Sequence, residues 1–327
     1  MSSLSVLDLS PITQGSDAAT SFARSLDLAR HAEQLGYQRY WLAEHHGMPG
    51  IASAATAVLI GHIAGGTRHI RVGAGGIMLP NHAPLQVAEQ FGTLAALHPG
   101  RIDLGLGRAP GSDPATARAL RRHLQTDPEA FDRDVLELQA YFAGRRPFGV
   151  RAVPGEGADV PLWILGSSLY GAQMAARFGL PYAFASHFAP AQMLDAIALY
   201  RRLFQPSAVL AKPRVMLGVN AFVADTEAEA RLLMTSLEQA FVALRSGQPM
   251  PLPPPQAGFT DSLPPSARHT LEDVLACSVV GTPDQAASQL RALAERTGAD
   301  EFMVTAQIFD HEARCRSFAL LMQAWTA

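Results

Sequence analysis

Two hydrophobic periods alternate along this chain. Leu4 to Leu9 is a short apolar run that stops at Ser10-Pro11, and Phe22, Leu26, Ala29, Ala32 and Leu35 then recur at helical spacing up to Gly36. The first pattern predicts a buried strand, the second an amphipathic helix closed by a glycine. The pair repeats. Arg39 to Ala43 predicts a second strand ending in Glu44-His45-His46, and a small-residue helix follows from about Ser53 to Ala64. Ile70 to Ala74 predicts a third strand that runs into Gly75-Gly76, and Val87, Phe91 and Leu94 mark the core stripe of the next helix. After the turn at Pro99-Gly100, Ile102 to Leu106 predicts a fourth strand, interrupted by Asp103 and Gly105 and ending in Gly107-Arg108.

The alternation continues through the second half. A helical region spans Asp127 to Phe142 and gives way to an irregular, Gly- and Pro-containing connection. Pro161 to Leu165 and Pro181 to Ala185 predict the fifth and sixth strands, leaving through Gly166-Ser167-Ser168 and Ser186-His187-Phe188; the helix between them ends at Gly179. A helix around Gln192 to Phe204 leads to the longest strand, Arg214 to Ala224. Asp225 is expected to cap the next helix, with Thr226 and Glu229 spaced as a capping box. Gln248 to Pro265 holds seven prolines and excludes regular structure. Thr282-Pro283-Asp284-Gln285 opens a helix that ends at Gly298, Glu301 to Ala306 predicts the eighth strand, and a last helix runs to Trp325.

Eight strands, each followed by a helix, predict an α/β fold: a (β/α)8 TIM barrel with insertions. Such barrels need about 250 residues, and the surplus falls between the fourth and fifth strands and in a Pro-rich insertion at about 246-280. No repeat or domain boundary interrupts residues 1-327, which read as one domain; a doubly wound open sheet is the competing topology. The barrel matters because its active site lies at the C-terminal ends of the strands. Those ends gather Ser10, Glu44-His45-His46, Gly75-Gly76, Gly107-Arg108, Gly166-Ser167-Ser168 and Ser186-His187 at one mouth.

Composition narrows the function classes. A 48% hydrophobic content with a formal charge of −3 is that of an ordinary globular protein, and scattered basic residues offer no nucleic-acid surface. The longest apolar tract, Ala52 to Ala64, is too short and too polar to cross a bilayer, and Met-Ser-Ser-Leu lacks the features of a signal peptide. Cys277 and Cys315 are the only cysteines and show no metal-ligand spacing, which points to a reduced, cytoplasmic setting and no metal site.

At the mouth, Gly166-Ser167-Ser168 ahead of a helix offers backbone N–H groups, hydroxyls and the positive end of a helix dipole, a seat for a small anion. Arg108, on the neighbouring strand end, adds a fixed cation. His45 and His46 follow an extended segment, so their side chains diverge, and no nearby ligand set completes a metal centre. His62, His69 and His82 are expected on helix or loop surfaces. His45 suits proton transfer near neutral pH, and His187 is expected to line the pocket.

Tyr40-Trp41-Leu42-Ala43-Glu44-His45-His46, Val72-Gly73-Ala74-Gly75-Gly76-Ile77-Met78-Leu79-Pro80, Ala88-Glu89-Gln90 with Gly100-Arg101 and Leu104-Gly105-Leu106-Gly107-Arg108, and Ala175-Ala176-Arg177-Phe178-Gly179-Leu180-Pro181 together resemble the bacterial luciferase-like flavin monooxygenase family. The resemblance implies a barrel that binds FMN, with Arg108, Ser167 and Ser168 at the phosphate, His45 near the reactive ring, and a non-prolyl cis peptide at Gly75-Gly76 beneath the ring. The candidate cofactor residues are thus Gly75, Gly76, Arg108, Gly166, Ser167, Ser168, Ser186 and His187, and the candidate catalytic residue is His45. Light-emitting members carry a cysteine where this chain has Gly107 and an acidic residue where it has Ser167, so the resemblance is to the non-luminescent branch. It implies an FMN-dependent monooxygenase acting on a small organic substrate with molecular oxygen and reduced FMN from a separate flavin reductase, and a homodimer formed through early helices. The other readings are a deazaflavin-dependent hydride-transfer oxidoreductase and a non-catalytic flavin-binding protein. The Pro-rich segment reads as a lid that sets substrate choice.

Overall fold

The computed structural model describes residues 2–108, 114–120 and 129–327. The loop expected around Pro110 and the start of the helical region at Asp127 lie outside them. The strands are β1 (Ser3–Asp8), β2 (Arg39–Leu42), β3 (Arg71–Met78), β4 (Ile102–Gly107), β5 (Leu162–Gly166), β6 (Tyr182–Phe184), β7 (Val215–Val223), β8 (Ser278–Gly281) and β9 (Glu301–Thr305). The helices are α1 (Ala18–Leu35), α2 (Thr56–Gly66), α3 (Pro84–Leu97), α4 (Pro114–Ala119), α5 (Ala130–Phe142), α6 (Leu169–Phe178), α7 (Met193–Leu203), α8 (Glu227–Arg245), α9 (Phe259–Ser262), α10 (Pro265–Val274), α11 (Pro283–Thr297) and α12 (His311–Thr326).

All strand pairings are parallel. β1 to β7 pair in sequence, and β9 closes the ring between β7 and β1, with Val219 opposite Val304 and Val6 opposite both Val304 and Tyr40. This is the closed eight-stranded (β/α)8 barrel that the alternation predicts. β8 was not expected from the sequence. It pairs with the C-terminal half of β7, Asn220 to Val223, beyond the point where three-residue β6 stops at Leu217. The N–H of Asn220 donates to Cys277 O on the edge where Tyr182 N–H donates to Arg214 O, so β8 continues the line of β6.

Pleating sorts the strand residues into two cores. Leu4 and Val6 of β1 face the helical layer, in a continuous core with Leu28, Ile60, Phe91 and Phe318, while Leu7 faces the barrel axis with Trp41, Trp163, Met216 and Met303. The inner core is small and aromatic; Trp41 and Trp163 meet edge to face at 5.5 Å. Below it, charges plug the N-terminal end. Arg39 donates to Asp103 at 2.6 Å and Glu301 at 2.9 Å, Arg71 donates to Asp103 at 2.6 Å, and Arg214 to Glu301 at 2.9 Å. Burial opposes the Arg39 charge, yet Asp103 and Glu301 outweigh it and raise the pKa.

Several helix ends match the sequence signals. Gly36, Gly179 and Gly298 cap α1, α6 and α11 in the left-handed conformation, and Thr282 and Gln285 form a full capping box on α11. The cap of α8 is a correction. Thr226, not Asp225, accepts from Glu229 N–H, and Asp225 instead pairs with Arg316 at 2.7 Å. Prolines keep 249–257 out of helices, but the expected irregular stretch also holds the single turn α9, and Pro265 begins α10 at a position where its missing N–H costs nothing. Among the described residues no helix is long and apolar enough to cross a membrane.

Candidate active site

At the C-terminal strand ends lies a cavity of about 2050 Å³, larger than the ~300–1,000 Å³ usual for one drug-sized ligand. Its floor is the top of the inner core, including Leu7, Trp41, Leu165 and Met216. Its far wall comes from the segment between β7 and β9, through Leu237, Phe241 and Leu244 of α8 and Leu275. That segment is tied down by main chain: Leu252 N–H donates to Ile12 O at 2.8 Å, and Gln14 N–H to Leu252 O at 2.9 Å.

Seven of the nine sequence-predicted site residues line this cavity: His45, Gly75, Arg108, Gly166, Ser167, Ser168 and His187. Gly76 and Ser186 do not. The Ser186 hydroxyl is buried and donates to Gly218 O at 2.7 Å, bracing β6 to β7. Ser10, expected at the mouth, accepts from Ser25 at 2.8 Å in the outer layer instead. The Gly75–Gly76 peptide is cis, as expected, and the β3–β4 register shifts between Ala74 and Ile77. Side chains are excluded there: a Cβ on Gly75 would lie 2.9 Å from Leu7 Cδ1, and one on Gly76 2.8 Å from Gly105 O.

Glu44 holds the rim together. Its carboxylate accepts from Met78 N–H at 2.9 Å, pairs with His46 Nε2 at 2.8 Å and His82 Nε2 at 2.9 Å, and accepts from Asn81 Nδ2 at 3.3 Å. Burial would raise its pKa, but the bonds from His82, His46 and Met78 draw it below the usual carboxylate value. The expectation for His82 is therefore corrected: it lines the cavity and is fixed by Glu44. The two residues are 38 positions apart in sequence, and only the barrel, by setting β2 beside β3, brings them together.

One strand further round the barrel, after Gly107 opposite Met78, Arg108 is exposed to the cavity and stacks over Tyr170, 4.0 Å from its centroid. Tyr170 in turn donates to Asp132, which also pairs with Arg177. Burial and Asp132 push the Tyr170 phenol up to about 12, so it stays protonated. Tyr170 is a further residue that sequence reasoning missed. Ser168 is the N-cap of α6 but makes no side-chain cap bond, and Ser167, Ser168, Tyr170 and Gly171 all line the cavity. The first turn of α6 thus faces the same space as the Arg108 guanidinium.

His187 lines the cavity beside β7. Its ring rests on β7 where a Cβ on Gly218 would overlap it, its carbonyl accepts from Asn220 at 2.6 Å, and Phe188 packs edge-on at 4.8 Å. Nδ1 is buried without a protein partner. Burial first, and then the charge of His45, drives its pKa down to about 4, so His187 is neutral at pH 7 and offers one donor and one acceptor nitrogen.

Comparisons with known proteins agree with this architecture. Residues 3–301 match the family model described as luciferase-like monooxygenase. The chain is 54% identical over 319 residues to a luciferase-like monooxygenase of Escherichia coli (strain K12), covering 97% of this chain and 95% of the relative. It is 31% identical over 332 residues to the N-acetyl-S-alkylcysteine monooxygenase of Bacillus subtilis (strain 168), covering 98% and 97% of the two chains. Among solved structures, apo-MsnO8 superposes with a TM-score of 0.91 at 37% identity, over 100% of this chain and 99% of the other. The chain belongs to the luciferase-like monooxygenase family and, with it, to the oxidoreductases.

Proposed function

We propose that this protein is an FMN-dependent monooxygenase that uses reduced flavin, delivered by a separate reductase, and molecular oxygen to oxidise a small organic substrate. The observation that carries the reading is the convergence of Arg108 and the uncapped first turn of α6 on one wall of the mouth cavity. A guanidinium and free helix N–H groups together suit a phosphate ester. The rest of the cavity fits the remainder of such a cofactor. Gly75 leaves the strand end flat, the floor is apolar, and buried Nδ1 of His187 offers an unsatisfied polar atom for a heteroaromatic ring. The volume leaves room for a substrate beside the cofactor. A relative named N-acetyl-S-alkylcysteine monooxygenase supports a small organic substrate.

Reduced FMN would supply the electrons that activate oxygen. Arg108, Ser167, Ser168 and Gly166 would hold the phosphate, and Gly75 and Gly76 keep the adjoining strand end free of side chains for the ring. His45 moves the proton, while neutral His187 hydrogen-bonds without adding charge. The apolar wall from α8 excludes water from the reacting centre. The homodimer that the family resemblance implies would pack through the early helices.

Titration with FMN, riboflavin and a deazaflavin cofactor tests the assignment. FMN should bind more tightly than riboflavin, and Arg108→Ala should remove about 1.5–3 kcal/mol of that preference, since a hydrogen bond to a charged group is worth about this much. Equal affinities, or an unchanged ratio in Arg108→Ala, refute the phosphate seat. Tighter binding of the deazaflavin points to the hydride-transfer chemistry instead.

A further inference from the structure

A second constellation of reactive side chains lies outside the mouth, where α12 packs against α1. His311 and Cys315 are one turn apart at the start of α12, and Asp27 of α1 faces them across a sequence separation of 284 residues. Asp27 Oδ2 lies 2.8 Å from His311 Nε2, Cys315 Sγ lies 3.6 Å from the same nitrogen, and the sulfur lies 4.0 Å from the carboxylate oxygen. None of the three lines the mouth cavity. Around a tetrahedral zinc ion with metal–ligand distances of about 2.0–2.3 Å, ligand atoms sit about 3.3–3.7 Å apart. Three ligand atoms here already form a triangle close to one face of that tetrahedron.

The back of the histidine supplies a second, independent feature. His311 Nδ1 and Ser21 Oγ are both buried without a protein partner, and both residues wall the same small cavity of about 10 Å³. That is the size of one water, and the cavity is polar, with Thr13 and Arg24 on its walls. Once a metal takes the Nε2 lone pair in place of the Nε2–H···Asp27 hydrogen bond, a water there accepts from Nδ1–H and donates to Ser21, holding the tautomer that binding requires. Metal-bound histidines are oriented by such partners on their other nitrogen. His31 of α1 is engaged with the backbone carbonyl of Cys315 at 3.1 Å.

We propose that Asp27, His311 and Cys315 form a divalent-metal site of the zinc class on the outer face of the barrel, with water in the fourth position. Carboxylate, imidazole and thiolate together suit a borderline ion and neutralise its two charges. As the sulfur–metal bond forms, the thiol proton leaves to solvent. The imidazole proton moves from Nε2 to Nδ1 without net change.

Cobalt(II) titration of the chelator-treated full chain tests this, because a thiolate ligand gives cobalt a near-ultraviolet charge-transfer band. One cobalt per chain should bind with that band, and zinc should displace it. Cys315→Ser should abolish the band, Cys277→Ser should leave it, and His311→Gln or Asp27→Asn should weaken binding by more than about 100-fold, beyond the 10–100-fold typical of an outer partner. Ser21→Ala should weaken it by about 10–100-fold. Circular dichroism confirms that each variant is folded. No band in the wild type, a band that survives Cys315→Ser, or affinities untouched by both His311→Gln and Asp27→Asn overturn the site. An unchanged affinity in Ser21→Ala overturns the water-held tautomer.

Discussion

The two ends of the barrel use the same residue types to opposite purposes. At the N-terminal end, the floor of the barrel below its apolar inner core, Arg39 is almost wholly buried, and the carboxylates of Asp103 and Glu301 are fully so; Trp41 Nε1 and the Ser5 hydroxyl add donors at 3.2 and 2.5 Å. Arg39 and Arg214 lie 5.3 and 5.2 Å from the Trp163 centroid. Charge there is matched to charge. At the mouth, Arg108 rests on an aromatic face with its guanidinium open to the cavity, α6 begins without a side-chain cap, and His187 buries a nitrogen with no protein partner. Polar groups paired with one another stabilise a fold, whereas polar groups held in place but left unsatisfied await a ligand. Residue type alone does not separate the two; pairing does.

The largest effect expected from breaking this contrast is at the floor. Asp103→Asn leaves Arg39 and Arg71 facing a neutral amide. Breaking a buried pair by removing one partner costs about 3–5 kcal/mol, so chemical denaturation should show a loss of that size. A loss below about 1 kcal/mol would show that the floor charges are hydrated. Glu44→Gln comes next. It weakens a rim whose bonds to the carboxylate are each worth about 1.5–3 kcal/mol, and the expected loss of stability lies in that range, with weaker flavin binding because β3 and the His82 segment are released together. Undiminished binding in a destabilised Glu44→Gln would separate the rim from the ligand seat.

A smaller effect is confined to acid. The His187 pKa of about 4 lies below the ordinary histidine value of about 6.5, so between these limits the unfolded chain binds more protons than the folded one. Its contribution is complete above about pH 6.5 and is lost as the pH falls toward 4, with a slope of at most about 1.4 kcal/mol per pH unit. His187→Gln should flatten this part of the stability profile; an unaltered profile would mean that the ring is hydrated. The smallest effect sharpens the contrast most. Arg108→Ala should change the unfolding free energy by no more than about 0.5 kcal/mol, the range of surface substitutions, while reducing affinity for FMN. A large stability loss would place Arg108 among the structural charges.

Most of the barrel was legible because its strands are apolar runs ended by Gly, Ser or His, and its helices carry a clear core stripe and glycine caps. β8 was not. Ser278–Gly281 has four residues and an alternating burial, and it is a strand only because β6 stops early and leaves the edge of β7 unpaired. The cavity lining was legible where one strand end supplied a cluster, as at His45 or Ser167-Ser168. Where partners come from separate strands it was hidden: nothing near His82 signals Glu44, and nothing near Cys315 signals Asp27. Ser186 shows the reverse error. Its place at a strand end is right, but its hydroxyl is spent on Gly218.

The wall that faces the substrate space is fastened to the barrel at two places, by Leu252 between Ile12 and Gln14 and by β8 along β7. Both fastenings are made by peptide groups, which every residue but proline carries alike. The side chains that the wall turns toward the cavity, such as Phe241, Leu244 and Leu275, can therefore be exchanged without loosening the attachment. Inheritance of the scaffold and drift of the wall's lining are thereby uncoupled: descendants of one barrel can acquire new tastes in substrate while keeping the same fastenings.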